Sequence, residues 1–364
     1  MKIRLCLILA ALLAGCGLGP PTGNQDPRDP VEARGQLSQE TQDLYGALEA
    51  GEQLSQDEAV DLEQLLASEP ENQTLRLRLI GYYFGLEWGS ELSKRRAQHV
   101  LWLIENKPEA QVLAMAEGQI DSSETAAYWE ARSVWTQHLE RMPENLDVLR
   151  NAARFFMFSE GQLAIELLKR AQRIDASNPE WARSLGQLYS FETVGSSGEP
   201  DPNVAAEALI QYERAYELFG KVDGDHLLED LARAALVAGE TQKARAFADS
   251  MLSNTASGWN FGNRVHHGHL TLGRIALAEG NVEEAKARLL KAGATPGSPQ
   301  LDSFGPNMAL AKDLLEKGEK EVVLKYFELC SEFWNSDDAL EELADWTALV
   351  KGDRIPDFGV NLDY

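Results

Sequence analysis

From about Leu37 to Val350 the chain seldom alternates apolar and polar residues one by one, the pattern that a half-buried strand requires. Alanine, leucine and glutamate, all strong helix formers, dominate this span. The pattern predicts helix after helix and no sheet. Start and stop signals divide the run. Ser55 with Glu58 three residues on forms a capping box, and Asp121 with Glu124 is a better start than Ser123 with Ala126, which lacks the acidic partner. Gly118, Gly220, Gly239, Gly280 and Gly318 fall where helices should stop.

Small residues recur at fixed intervals. Ala152, Ala164 and Ala171 are 12 and 7 residues apart. Gly273, Ala285 and Ala292 repeat both intervals around the turn at Gly280, and Ala311, Val323 and Cys330 repeat them around Gly318. Ala232 and Ala244 keep the 12 with Gly239 at the turn, and Ala208 and Ala215 keep the 7. Two antiparallel helices need small side chains where their axes cross, and the next pair needs a third small site to dock on.

This arrangement resembles the tetratricopeptide repeat (TPR), whose 34-residue unit carries small residues at its eighth, twentieth and twenty-seventh positions. Ala152 to Gly186 spans 34 residues, whereas the later units run to 41 and 38, and an earlier one around Gly81 and Ala97 fits poorly. Thr193 to Asn203, rich in Gly, Ser and Pro, reads as an insertion. The expected fold class is all-α, a TPR-like α-solenoid of antiparallel helix pairs. Residues 297–308, Tyr326 to Cys330, Phe333-Trp334 and the tail Ile355 to Tyr364 resemble a C-terminal module of uncharacterised bacterial repeat proteins, which implies fold and no activity. Phe358, Leu362 and Tyr364 make the tail too apolar for a free end, so it is expected to fold back as a cap.

The first residues carry a different signal. Lys2 and Arg4 precede an apolar run, Leu5 to Leu13, too short to span a bilayer. The closing Leu13-Ala14-Gly15-Cys16 resembles the lipobox of bacterial lipoproteins, in which the cysteine becomes the lipid-modified first residue. That resemblance implies a bacterial envelope protein tethered through Cys16. Gly17, where an aspartate would resemble an inner-membrane retention signal, points to the outer membrane. The expected organisation is a signal peptide over 1–16, a flexible tether over 17–36 and a helical region with degenerate repeats over 37–142. TPR-like repeats over 143–350 and a capping tail over 351–364 complete it.

Charge and cysteine usage narrow the chemistry. The formal charge is −24, and loss of Lys2 and Arg4 with the signal takes it to about −26, which disfavours nucleic acid and anionic lipid heads as partners. Contact with the membrane is expected through the lipid alone. Cys6 leaves with the signal and Cys16 carries lipid, so Cys330 is left to pack as a small apolar residue. No motif for zinc, phosphate or nucleophilic chemistry occurs, and the paired carboxylates read as solvated helix faces. The expectation is a non-enzyme without cofactor. The tryptophans read as core.

One cluster stands apart: His266, His267 and His269 within one helical turn. His266 and His269 are spaced to bind a metal from one helix face, and the enzyme alternative is a metal-dependent envelope hydrolase built on all three. The competing reading makes them packing histidines, His269 against the partner helix, with His267 free for a partner.

In the TPR family the first helix of each pair lines a concave groove. Carrying that register across gives Arg183, Gln187, His226, Glu229, Arg233, His267, Arg274 and Lys312, with Arg78 and Tyr82 from the weak first unit. Leu149, Ala153 and Phe156 supply an apolar stretch. The resemblance implies a groove for an extended protein or peptide partner, its carboxylates held by cations. Alternatively the arginines pair with acidic neighbours and the groove is neutral. The functional expectation is a lipid-anchored, non-catalytic scaffold or adaptor, with a self-associating structural protein as a further alternative. The sequence leaves the oligomeric state open.

Overall fold

The computed structural model describes residues 38–86, 91–193 and 200–362, and these are helical throughout, with no strand among the described residues. The signal peptide, Cys16, the tether, Trp88, most of the insertion after Thr193 and Tyr364 lie outside the described residues. The chain forms two compact units that part between Leu188 and Tyr189.

The first unit contains α1 (Gln39–Glu52), α2 (Gln56–Ser68), α3 (Gln73–Phe84), α4 (Glu91–Asn106), α5 (Thr125–Arg141), α6 (Leu146–Phe156) and α7 (Gly161–Ile174). The division falls inside α8 (Pro179–Thr193). The Ser55 capping box is present: its hydroxyl accepts from the Glu58 amide and the Glu58 carboxylate accepts from the Ser55 amide. The second expected start differs. α5 begins behind Glu124 without a side-chain cap, and Asp121 instead accepts from the Ser123 amide in a local turn, which satisfies the carboxylate before the helix opens. Gly118 ends no α-helix either. It follows a short 3-10 turn, and a Cβ there would lie 2.1 Å from the Val112 carbonyl, so the glycine serves a close backbone approach.

α1 and α3 cross in the same way. A Cβ on Gly51 would meet the Arg78 carbonyl at 2.0 Å, and one on Gly81 the Leu48 carbonyl at 2.2 Å. The glycines let the two backbones touch. Further along, Ala152, Ala164 and Ala171 are fully buried where α6 packs on α7.

The second unit contains α9 (Pro202–Asp223), α10 (Leu228–Val237), α11 (Thr241–Ser253), α12 (Phe261–Ala278) and α13 (Val282–Gly293). It continues with α14 (Pro299–Phe304), α15 (Ala309–Glu316), α16 (Lys320–Cys330) and α17 (Asp337–Lys351). α9 breaks at Gly220, where φ is +78°. Three hairpins follow: α10 with α11, α12 with α13, α15 with α16. Each turns through the same motif. The residue after Gly239, Gly280 or Gly318 donates its amide five residues back, to Ala235, Ala276 or Leu314, and the glycine donates three back. Ala232, Ala244, Ala285, Ala292, Ala311, Val323 and Cys330 are all buried at the crossings. Gly273 does the same for the next pair, since a Cβ there would strike Leu310 of α15.

The tail packs back onto this unit. Phe358 is buried against Phe327 and Trp346, and the Asn361 side chain donates to the Phe304 and Pro306 carbonyls. The Asn361 carbonyl in turn accepts from the Met308 amide. Not every tryptophan is core, however. Trp135, Trp181, Trp334 and Trp346 are buried, but Trp129 is 57% exposed and Trp259 is 41% exposed. Trp129 stands beside Arg132, whose guanidinium lies over its ring, so an amphipathic residue covers part of that apolar surface from solvent.

Candidate partner-binding face

α10, α12 and α15 are the first helices of their pairs, and each packs on the next. Among the residues read from the repeat register, Glu229 and His267 meet between α10 and α12, and Arg274 reaches α15 at Asp313, next in sequence to Lys312. Glu229 and Arg233 come from α10, His267 and Arg274 from α12, and Lys312 from α15. His226 precedes them on a 3-10 turn, its Nδ1 2.7 Å from the Asp223 carbonyl and its ring edge-on to Phe219. Arg183 and Gln187 belong to the first unit.

Ion pairs organise this face. Arg233 donates to Asp230 one turn back at 2.7 Å, and Arg274 donates to Asp313 of α15 at 3.1 Å. Burial works against the Arg233 charge, but Asp230 beside it prevails and the pKa rises. Arg264, buried at the start of α12, reaches Asp225 and the Ala256 carbonyl, while Asn254 donates to the other Asp225 oxygen. In the first unit Arg183 donates to Glu180 at 2.7 Å. Lys312 is half-buried and has no ion-pair partner among the described residues. Asp225, Asp230 and Asp313 were missed in the sequence reading. Asp230 was locatable from its spacing to Arg233, whereas Asp225 and Asp313 meet their arginines only through folding.

His267 stands 3.4 Å from Glu229, yet the contact is not an ion pair. Burial, helped by Arg233, pushes the imidazole down to about 3, so it is neutral. Burial also raises the Glu229 carboxyl, with Arg233 opposing. His266 is fully buried, and its two ring nitrogens are both engaged. Nε2 accepts from the Asn307 amide at 3.1 Å, which leaves the proton on Nδ1 to donate to the Ala292 carbonyl, also at 3.1 Å. Burial takes this ring to about 3 as well. His269 is half-buried against Arg288 of the partner helix, and burial with Arg288 and Lys291 lowers it to about 4. His266 thus meets backbone, His267 the Glu229 carboxyl and His269 the Arg288 guanidinium.

The apolar stretch of the expected groove is not open. Leu149, Ala153 and Phe156 are buried, because α6 is covered on nearly every side and Phe156 packs edge-on against Phe155. From the weak first unit, Arg78 and Tyr82 are half-buried, Tyr82 edge-on to Tyr83. Cys330 is buried as expected of a packing residue, and desolvation drives its thiol pKa upward.

The fold defines a class: an all-α protein of TPR-like antiparallel helix pairs. No family model matches the sequence, and no curated protein matches it. Among solved structures, the chain is similar to PilW, described as a widely conserved type IV pilus biogenesis factor. The TM-score is 0.37 at 16% identity, over 70% of this chain and all of PilW. Among the described residues no helix is long and apolar enough to cross a membrane.

Proposed function

We propose that this chain is a non-catalytic scaffold or adaptor of the bacterial cell envelope, held to the outer membrane by lipid on Cys16, that binds an extended segment of a partner protein. One observation carries the reading. α10, α12 and α15 pack in succession and each carries a half-buried cation, Arg233, Arg274 and Lys312, so a strand-like peptide laid across them would meet a new helix at each step. Arg233 and Arg274 are each about 39% exposed and held by an aspartate, so a peptide carboxylate exchanges places with Asp230 or Asp313 rather than filling a bare cation. Lys312 adds a charge already free for contact. The buried imidazoles support the non-catalytic reading, since metal binding through His266 Nε2 would displace the Asn307 amide and leave that donor unpaired.

The test has two parts. Crosslinked capture from native cells names the partner, and the affinity of its binding segment is then titrated against the Arg233→Ala, Arg274→Ala double variant. A loss of tenfold or more is expected, and unchanged affinity removes this face from the reading. Cys16→Ser is expected to abolish palmitate incorporation and release the protein from the membrane fraction. Retention of both would remove the tether.

A further inference from the structure

The segment after α17 lies in a seat whose own bonds do not involve it. Residues 305–308 link α14 to α15, and this turn is held from the other side. The Gly305 amide donates to the Leu301 carbonyl, the Asn307 amide to His266, and the Tyr326 hydroxyl to the Asn307 carbonyl. Phe327 of α16 and Trp346 of α17 complete the seat. The segment brings two anchors to it. The Phe358 ring, 2% exposed, stands edge-on to Trp346 at 5.1 Å, and the Asn361 side chain donates to the Phe304 and Pro306 carbonyls at 3.1 and 3.0 Å. Gly305 makes the room, since a Cβ there would lie 2.9 Å from the Asn361 side-chain nitrogen. An aromatic pocket beside two carbonyls aimed at one amide, fixed in advance, is the chemistry of a peptide-recognition site.

The hinge before the segment is built differently. Residues 351–355 are all exposed. The Asp353 amide donates three residues back, to Val350, and the Arg354 amide five back, to Leu349, which is the turn otherwise made at Gly239, Gly280 and Gly318. Asp353 therefore holds a left-handed φ of +61°, less readily than glycine would, and no other non-glycine residue among the described residues has φ of this sign. Lys320 pairs with Asp353 across the turn. A preformed seat, a short ligand and a short strained hinge are the conditions under which copies of a chain trade an element. We propose that the seat also accepts residues 356–362 of a second copy, so that two copies join by exchanging this segment. The exchange reuses contacts each copy already makes, so it needs no new complementary surface on a chain of charge −24.

Deleting Arg354 and Ile355 shortens the hinge by about 7 Å, which keeps the segment from its own seat. Sedimentation of this variant at about 150 mM salt, where charges are screened beyond about 8 Å, is expected to show a dimer. Adding Phe358→Ala to it is expected to restore the monomer. In the wild-type chain a dimer fraction is expected to grow with concentration and to fall when Gly-Gly-Ser is inserted after Arg354. Where the deletion variant fails to fold, the full chain carrying Phe358→Ala is titrated with a fluorescent peptide of residues 354–362. Saturable binding is expected, at least tenfold weaker for the same peptide with Asn361→Ala. A wild-type chain that is monomeric at every concentration, a folded deletion variant that stays monomeric, or a dimer that Phe358→Ala leaves intact overturns the proposal. So does a peptide that fails to bind, or that binds equally with Asn361→Ala.

Discussion

His266 joins α12 to two other segments through one ring, accepting from the Asn307 amide and donating to the Ala292 carbonyl. Replacing it with alanine leaves both backbone groups buried and unpaired, which costs about 2–4 kcal/mol, a loss read directly from the urea midpoint. An unfolded histidine takes a proton near pH 6.5, whereas His266 and His267 resist to about 3 and His269 to about 4. Between those values the unfolded chain holds more protons than the folded one. The contribution is therefore whole above about pH 6.5 and drains away as pH falls, by about 2–3 kcal/mol per fully buried ring at pH 4.5. Glu229 works the other way, since its raised carboxyl returns some stability on acidification. Nitrogen-15 spectra of the imidazoles at pH 5 decide the matter: His266 and His267 should be neutral there, and protonated rings would refute the account. The packing role of this cluster was legible in the repeat register. Its partners were not, because Ala292 and Asn307 lie 26 and 41 residues away in sequence.

At the level of the helices, glycine does two different jobs, and substitution separates them. Gly239, Gly280 and Gly318 have φ of +78°, +82° and +85°, with nothing within 4 Å of an added Cβ. Alanine at any one of them meets only the left-handed backbone penalty, about 1–2 kcal/mol. Gly81 lies within α3 in ordinary helical backbone, where alanine by propensity alone would stabilise by up to about 1 kcal/mol. There the Leu48 carbonyl decides the sign: a Cβ 2.2 Å away forces α1 from α3, and overpacking of that severity costs about 3 kcal/mol. Gly81→Ala should therefore lower the denaturation midpoint more than Gly280→Ala, and the reverse order would show that α1 yields freely. Cap glycines were legible because their cause is local, the end of a helix with a known hydrogen-bond pattern. Gly118 was misread and Gly51 passed over because a close approach depends on a backbone elsewhere in the fold.

For the molecule as a whole, the stacking of pairs was legible since each hairpin is built from contacts within about 40 residues, which the small-residue spacing records. The parting of the two units was not, because it falls inside continuous α8, where no loop or proline breaks the helix and Gly186, two residues away, reads as a repeat position. Charge makes the last prediction at this scale. Exposed pairs such as Lys243 with Glu213, Arg245 with Glu279 and Lys286 with Glu319 tie neighbouring elements, but surface pairs contribute at most about 1 kcal/mol each and are weakened by salt. Against them stands the surplus of 58 acidic over 34 basic residues, whose repulsion opposes the compact state and is screened by the same salt. With 24 charges unbalanced, the repulsion prevails. Raising sodium chloride from about 20 to 300 mM, which shortens the screening length to below about 10 Å, should increase stability by about 1 kcal/mol and the melting temperature by about 2–4 °C. Chloride is the right anion for the scan, because sulfate would stabilise any fold by exclusion from its surface. A melting temperature that falls with salt would mean that the surface pairs, not the net charge, govern the electrostatics of this chain.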